Sequence, residues 1–304
     1  MVDWQGVFPA VTTAFREDES LDLEATQANI DWQIRAGAHG LVVLGTVGEN
    51  GSLDAGEKRA VMQAAKEVVR DRVPLLTGVA ETTTRAAAAF ARDAEAAGLD
   101  GLMVLPGMIY KSTPHETLVH YRAVTAATGL PVMAYNNPVS YGVDITPEMF
   151  RELETAATIV AIKESSEDVR RLTDLVNLCG DRYVLFSGVD DLALESLLLG
   201  ARGWISGLVN AFPEESVALY ELAVASRWDE ARVIYRWFMP LLHLDTRPTL
   251  VQCIKLVAQL AGHGREHVRA PRLVLTGEER AEVIGLTETA LATRPDLGRL
   301  RTAA

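Results

Sequence analysis

Cysteine is scarce in this 304-residue chain, with Cys179 and Cys253 its two thiols. Lacking a CxxC spacing or a dense, even set of thiols, the sequence offers neither a disulfide framework nor a cysteine zinc site. Positive charge is also in short supply: 29 Lys and Arg face 41 Asp and Glu, a formal net charge of −12. Such a surface repels phosphate backbones, which excludes nucleic acid as a natural partner. No stretch nears the roughly 18 consecutive apolar residues that cross a bilayer. The opening MVDWQ lacks the basic start and apolar run of a secretory signal. The expectation is a cytoplasmic protein without a membrane partner. Disorder is excluded too, because 48% of the residues are hydrophobic and 23% charged.

What is present is a rhythm. Short apolar, β-branched runs fall at 7–15, 40–45, 73–79, 101–106, 131–135, 159–162, 183–186 and 203–208. They are continuous rather than alternating, as strands buried on both faces of a parallel sheet should be. Helical patterns rich in Ala, Glu and Arg separate them, such as 53–70 and 85–97. A punctuation repeats: Ala36-Gly37-Ala38-His39-Gly40, Ala97-Gly98-Leu99-Asp100-Gly101 and Leu199-Gly200-Ala201-Arg202-Gly203. In each, the first glycine stops a helix and the second opens a strand. Eight such units over about 225 residues match a (β/α)8 TIM barrel. The rival is a doubly wound open sheet, but no GxGxxG follows the first strand.

Beyond the eighth strand the pattern is helical, at about 214–226, 229–242, 248–262 and 277–293. The expected division is a catalytic barrel over 1–227 and a helical extension over 228–304 packed on it, with a polar, frayed tail after Arg294.

In such barrels the chemistry sits at the C-terminal ends of the strands. Lys163 follows the apolar run Ile159-Val160-Ala161-Ile162. Either it is a rim lysine bonded to a carboxylate, or it is buried. Burial would lower its pKa and free an amine to attack a carbonyl carbon. Tyr135 ends the neighbouring strand, either as an aromatic cap or as a phenol that moves protons beside the lysine. Thr46 offers a hydroxyl, and the backbone of Gly45-Thr46-Val47-Gly48 offers N–H donors for a carboxylate. A tight βα turn would explain those glycines equally well. Metal sites find little support: His263 and His267 are four apart, but Gly262 and Gly264 flank the first. Asp190-Asp191 reads as a helix start.

Taken together, Gly6-Val7-Phe8-Pro9-Ala10, Gly45-Thr46-Val47-Gly48-Glu49, Tyr135-Asn136-Asn137-Pro138 and Ile162-Lys163-Glu164 resemble the dihydrodipicolinate synthase and N-acetylneuraminate lyase family, over about residues 5–293. The resemblance implies a covalent imine between Lys163 and a 2-oxoacid, with no external cofactor and no metal. It implies proton shuttling by Tyr135 and Thr46, and a pocket lined by Gly188 and Ile205. It also implies a homotetramer assembled as a dimer of dimers. Three departures concern the substrate. Val47 stands where synthases have a second threonine. Ser140 stands where they carry an arginine for the second substrate's carboxylate, and a short hydroxyl does not replace a bidentate guanidinium. The loop Pro106-Gly107-Met108-Ile109-Tyr110 lacks the family's paired tyrosines, one of which reaches across a subunit interface to complete the relay, leaving Tyr110 to take over or the relay to shorten.

The Gly45–Asn50 text, with 243–245 and 250–255, looks most like a catabolic branch that deaminates 1-pyrroline-4-hydroxy-2-carboxylate to 2-oxoglutarate semialdehyde and ammonia. That deaminase is the leading expectation. The alternatives are a dihydrodipicolinate synthase joining pyruvate to aspartate semialdehyde, an aldolase or dehydratase of a 2-oxo-3-deoxy sugar acid, and a non-catalytic barrel that binds a 2-oxoacid. Since a surface at −12 also repels small anions, attraction has to be local, from the backbone near Thr46 and from the lysine.

Overall fold

A computed structural model describes residues 2–302; Met1 and the last two alanines lie outside it. Eight strands alternate with helices: β1 (Gly6–Pro9), α1 (Leu23–Arg35), β2 (Leu41–Val43), α2 (Ala55–Val69), β3 (Leu75–Val79), α3 (Thr84–Ala96), β4 (Gly101–Val104), α4 (Pro114–Thr125) and β5 (Val132–Asn136). There follow α5 (Pro138–Tyr141), α6 (Pro147–Glu152), β6 (Ile159–Glu164), α7 (Arg170–Cys179), β7 (Val184–Ser187), α8 (Ala193–Leu198), β8 (Gly203–Ser206) and α9 (Pro213–Val224). The helical C-terminal part comprises α10 (Trp228–Leu242), α11 (Leu250–Leu260), α12 (Gly277–Ala292) and α13 (Leu297–Thr302).

All strand pairs are parallel, in the order β1-β8-β7-β6-β5-β4-β3-β2. The gap between β1 and β2 is closed by the Ala10–Val42 bridge, with Val11 N donating to Val42 O at 2.9 Å. The fold is therefore the expected TIM barrel with a helical C-terminal part. The first strand is shorter than its apolar run, because beyond Val11 the chain leaves the barrel wall and bonds elsewhere. Thr12 N donates to Asn210 Oδ1 and Thr13 Oγ1 to Gly48 O.

The repeated glycines prove to have two physical roles. Gly37, Gly98 and Gly200 sit at positive φ (100°, 74° and 100°) and turn the chain out of each helix. Gly40, Gly101 and Gly203 leave room for aromatic side chains. A Cβ at these positions would lie 2.3 Å from Phe8, 2.5 Å from Trp4 and 2.1 Å from Phe186. Phe8 and Phe186 meet edge to face at 5.3 Å and are fully buried.

The C-terminal part is tied to the barrel by buried polar contacts. Glu49 and Lys255 form an ion pair at 2.6 Å with both side chains at or below 1% exposure. Arg269 bonds Glu57 through both guanidinium nitrogens and Ser52 O through one of them. The tail expected to fray instead forms α13, whose Leu297 and Leu300 pack on the core while Arg227 donates to Leu300 O. Its apolar spacing was hidden in a polar composition.

Candidate active site

Lys163 lies within β6, paired in register with Tyr135 on β5 and Phe186 on β7. Its Nζ sits 4.1 Å from the centre of the Tyr135 ring, and the residue is 6% exposed. Burial pushes the Lys163 amine below its usual range, opposed by the negative charge of Asp245 and further by Tyr141 and Asp190. Burial likewise pushes the Tyr135 phenol up to about 12. Lys163 is the buried lysine of the two readings and not a rim lysine.

A cavity of about 450 Å³ opens above this pair. Gly45, Thr46, Val47, Tyr135, Ser140, Lys163, Gly188 and Ile205 all line it, so eight of the nine anticipated site residues converge. Each arrives by local necessity. Gly48 lets the β2 turn close, since a Cβ there would lie 2.9 Å from Leu44 N and 3.0 Å from Val11 O. Gly188 N donates to Glu164 O, and its bare Cα admits the lysine chain alongside. Ile205 points in from β8 at 1% exposure. Ser140 is exposed at the mouth, its backbone N–H held by Asn137 Oδ1 at 2.9 Å.

Tyr110 is the exception and does not line the cavity of its own chain, which leaves open a role across a subunit interface. The turn after β4 places Ile109 at φ 73°, swinging Tyr110 outward to 61% exposure. Its phenol bonds Glu116 at 3.2 Å, away from the cavity. From its own chain the cavity receives another tyrosine. Tyr141 hydrogen-bonds the Thr46 hydroxyl, and its ring meets Tyr135 edge to face at 5.8 Å. Asn137 organises this corner: its Oδ1 caps α5 and its Nδ2 donates to the Tyr135 hydroxyl at 3.1 Å. With Pro138 at the first turn and Gly142 at φ 67° ending it, α5 is one turn long and folds Tyr141 back over Tyr135. Asn-Asn-Pro…Tyr-Gly is a legible cap-and-stop pattern, and reading it would have found Tyr141.

Three further residues escaped sequence reasoning. Asp245, from the turn between α10 and α11, lines the cavity, and its Oδ2 accepts from Asp190 N at 3.3 Å. Burial pushes its carboxyl up to about 6, with Lys163 pulling the other way. Arg247 and Arg272 bring guanidinium groups to the cavity wall. Arg247 is held by Glu282 through two bonds of 2.7 and 2.8 Å, and Arg272 bonds Ser52 Oγ at 3.1 Å. Local attraction for an anion thus has cationic sources beyond the lysine. Asp190 is no simple helix start either; its carboxylate accepts from Trp204 Nε1 and Leu208 N and fixes the β7–β8 corner. Among the described residues no group of three or more His, Cys, Asp or Glu is placed to hold a metal ion. His263 stacks on Trp32 at 3.4 Å. No helix among the described residues is long and apolar enough to cross a membrane.

A parallel barrel with a buried lysine under a phenol, at the C-terminal ends of its strands, defines the class of lysine Schiff-base lyases. The chain belongs to the dihydrodipicolinate synthetase family, whose model matches residues 3–290. Members of this family work through a lysine imine without an external cofactor. The chain is 32% identical over 283 residues to a 4-hydroxy-tetrahydrodipicolinate synthase of Syntrophus aciditrophicus, covering 92% of this chain and 96% of that one. It is 33% identical over 284 residues to the same-named protein of Acidobacterium capsulatum, with 93% and 94% covered. Among solved structures, a prophage protein of the dihydrodipicolinic acid synthase family from E. coli K12, in complex with pyruvate, superposes with a TM-score of 0.91. It is 29% identical, with 96% of this chain and 100% of that chain covered.

Proposed function

We propose that the chain forms an imine between Lys163 and C2 of a small 2-oxoacid or its cyclic imine, and that Tyr135, Tyr141 and Thr46 move the protons. The carrying observation is the Lys163 Nζ set 4.1 Å over the Tyr135 ring on the floor of the cavity, with Tyr141 bonded to Thr46 beside it. The amine attacks the carbonyl carbon, and the phenol hands the proton toward the carbonyl oxygen. The imine then acidifies C3 by drawing its electrons. The substrate carboxylate lies at the Gly45–Val47 turn, and Gly188 and Ile205 shape the space beside the lysine.

Two finer readings share this first step. The names of the curated relatives favour a synthase, in which C3 of bound pyruvate adds to aspartate semialdehyde. Ser140, in place of the arginine expected for a second carboxylate, favours the deaminase. In that reading, loss of the C3 proton and the 4-hydroxyl of 1-pyrroline-4-hydroxy-2-carboxylate, then hydrolysis, yields ammonia and 2-oxoglutarate semialdehyde. We extend the reading to a cytoplasmic homotetramer, supported by two free thiols and by the exposed Ile109 and Tyr110 after β4.

Borohydride reduction with pyruvate, read by intact mass, should label Lys163, and Lys163→Ala should abolish the label. An adduct persisting in that variant removes the assignment. Turnover then separates the finer readings: consumption of aspartate semialdehyde with pyruvate selects the synthase, whereas ammonia from the hydroxylated cyclic imine selects the deaminase.

A further inference from the structure

The chain carries a net charge of −12, yet one wall of its cavity is cationic. The C-terminal helical part builds that wall, with Arg247, Leu250 and Val251 at the start of α11 and Arg272 beyond its end. The charges behind it can be counted. Glu49 is paired with Lys255 and Glu57 with Arg269, so Arg272 is one cation in excess. It stands 3.9 Å from the neutralised Glu49 and commits only Nη1, which donates to Ser52 Oγ at 3.1 Å. Its Nε and Nη2 donate to no group among the described residues. Arg247 gives both terminal nitrogens to Glu282 and keeps its Nε–H. The first turn of α11 holds no acidic residue, so the positive end of its dipole stands unanswered beside Arg247. Asp245 and Glu167 also line the cavity, but neither forms an ion pair with either arginine.

We propose that Arg272, helped by Arg247, holds a second carboxylate at the far end of the substrate, so that the cavity selects 2-oxoacids with two acid groups. Resting on the imine at Lys163 proposed above, this names the class of acid that forms it. The Nε–H and Nη2–H of a guanidinium lie side by side on one edge and match the two oxygens of a carboxylate. On Arg272 that edge is free. Such a grip does what Ser140 cannot do with a single hydroxyl, and it comes from the helical wall instead of the turn after β5. The first carboxylate of the substrate lies at the Gly45–Val47 turn near the lysine, and the second lies against the arginines. A cavity of about 450 Å³, within the range that encloses drug-sized ligands, has room for both. Pyruvate fills only its floor.

The test is competitive labelling of Lys163 in the full chain, with adduct masses read after borohydride reduction. 2-Oxoglutarate competes with 2-oxopentanoate, which has a methyl in place of the distal carboxylate, and 2-oxoadipate competes with 2-oxohexanoate in the same way. The −12 surface by itself favours the singly charged acid of each pair, so a preference for the diacid reports a local site. At least one diacid should outlabel its analogue by roughly 10-fold, the scale of a hydrogen bond to a charged group. Arg272→Gln should remove most of that preference and Arg247→Gln a smaller part, while Arg272→Lys should keep some of it. Both adducts form in one sample, so partial unfolding of a variant lowers them together and leaves the ratio readable. Equal labelling within both pairs in the parent overturns the proposal, and so does a ratio unchanged in both Arg272→Gln and Arg247→Gln. A fall in all adducts at an unchanged ratio assigns Arg272 to the carboxylate common to every 2-oxoacid, and overturns it too. A parent that gives no adduct with any acid, pyruvate included, removes the imine reading itself. A parent that labels with pyruvate but prefers neither diacid removes only the second carboxylate site.

Discussion

Replacing Gly188 with alanine should stall the lysine without emptying the cavity. The added Cβ would lie 2.0 Å from Ser165 Oγ and 2.8 Å from both Cγ and Cε of Lys163. Carbon atoms sit about 3.5–4.0 Å apart at contact, so the lysine chain must shift by roughly 1 Å. An error of that size in a near-attack geometry costs about 10²-fold in rate. Overpacking adds a stability loss of ~1–3 kcal/mol, a few degrees in Tm for a chain of this size. Adduct formation on Lys163 with pyruvate gives the first quantity and thermal melting the second. Gly51→Ala is the matched control, because a Cβ there meets nothing within 4 Å. If Gly188→Ala traps pyruvate as fast as the parent, the lysine is not held by this close approach and the steric account fails.

Two other consequences can be measured. Tyr141→Phe and Thr46→Val each break the same hydrogen bond, so each should lower kcat by roughly 10²-fold; the double variant should be little worse than either single one, and full additivity would show that they act separately. Acid should weaken the fold through His39, whose neutral Nδ1 accepts from Val7 N at 3.2 Å and whose pKa burial holds below 6.5. The unfolded chain then binds more protons, so the His39 contribution is complete above about pH 6.5 and falls as pH drops toward the lowered folded value. Urea unfolding at several pH values should lose part of this acid slope in His39→Gln; an unchanged slope would assign it to other groups.

The barrel was legible because its strands are continuous apolar runs between helices that glycine stops, and both signals are local. The lysine was legible for a similar reason: a charge at the end of Ile159-Val160-Ala161-Ile162 has few places to go. Tyr141 was hidden behind the expectation that the second tyrosine comes from the loop after β4. A positive φ at Ile109 cannot be read from a β-branched side chain, which disfavours it. Asp245, Arg247 and Arg272 were hidden for a deeper reason. They reach the cavity through helix packing between segments more than 80 residues from Lys163, a placement fixed by tertiary contacts such as Glu49–Lys255 and not by any spacing. The end of the chain misled because leucines at 297 and 300 are sparse against a polar background, yet three apart on a helix they share a face.

The Glu49–Lys255 pair also bears on how the molecule comes into being. Glu49 closes the turn that presents Thr46, and its carboxylate is wholly buried; its partners are Lys255, Arg269 N and, at 3.9 Å, Arg272. A carboxylate buried without its cation costs several kcal/mol, so that turn cannot settle until those residues arrive. During synthesis, all eight strands leave the ribosome before the chain can complete the turn that carries Thr46. The seating of Thr46 therefore depends on residues 255–272, which are made well after the last strand of the barrel.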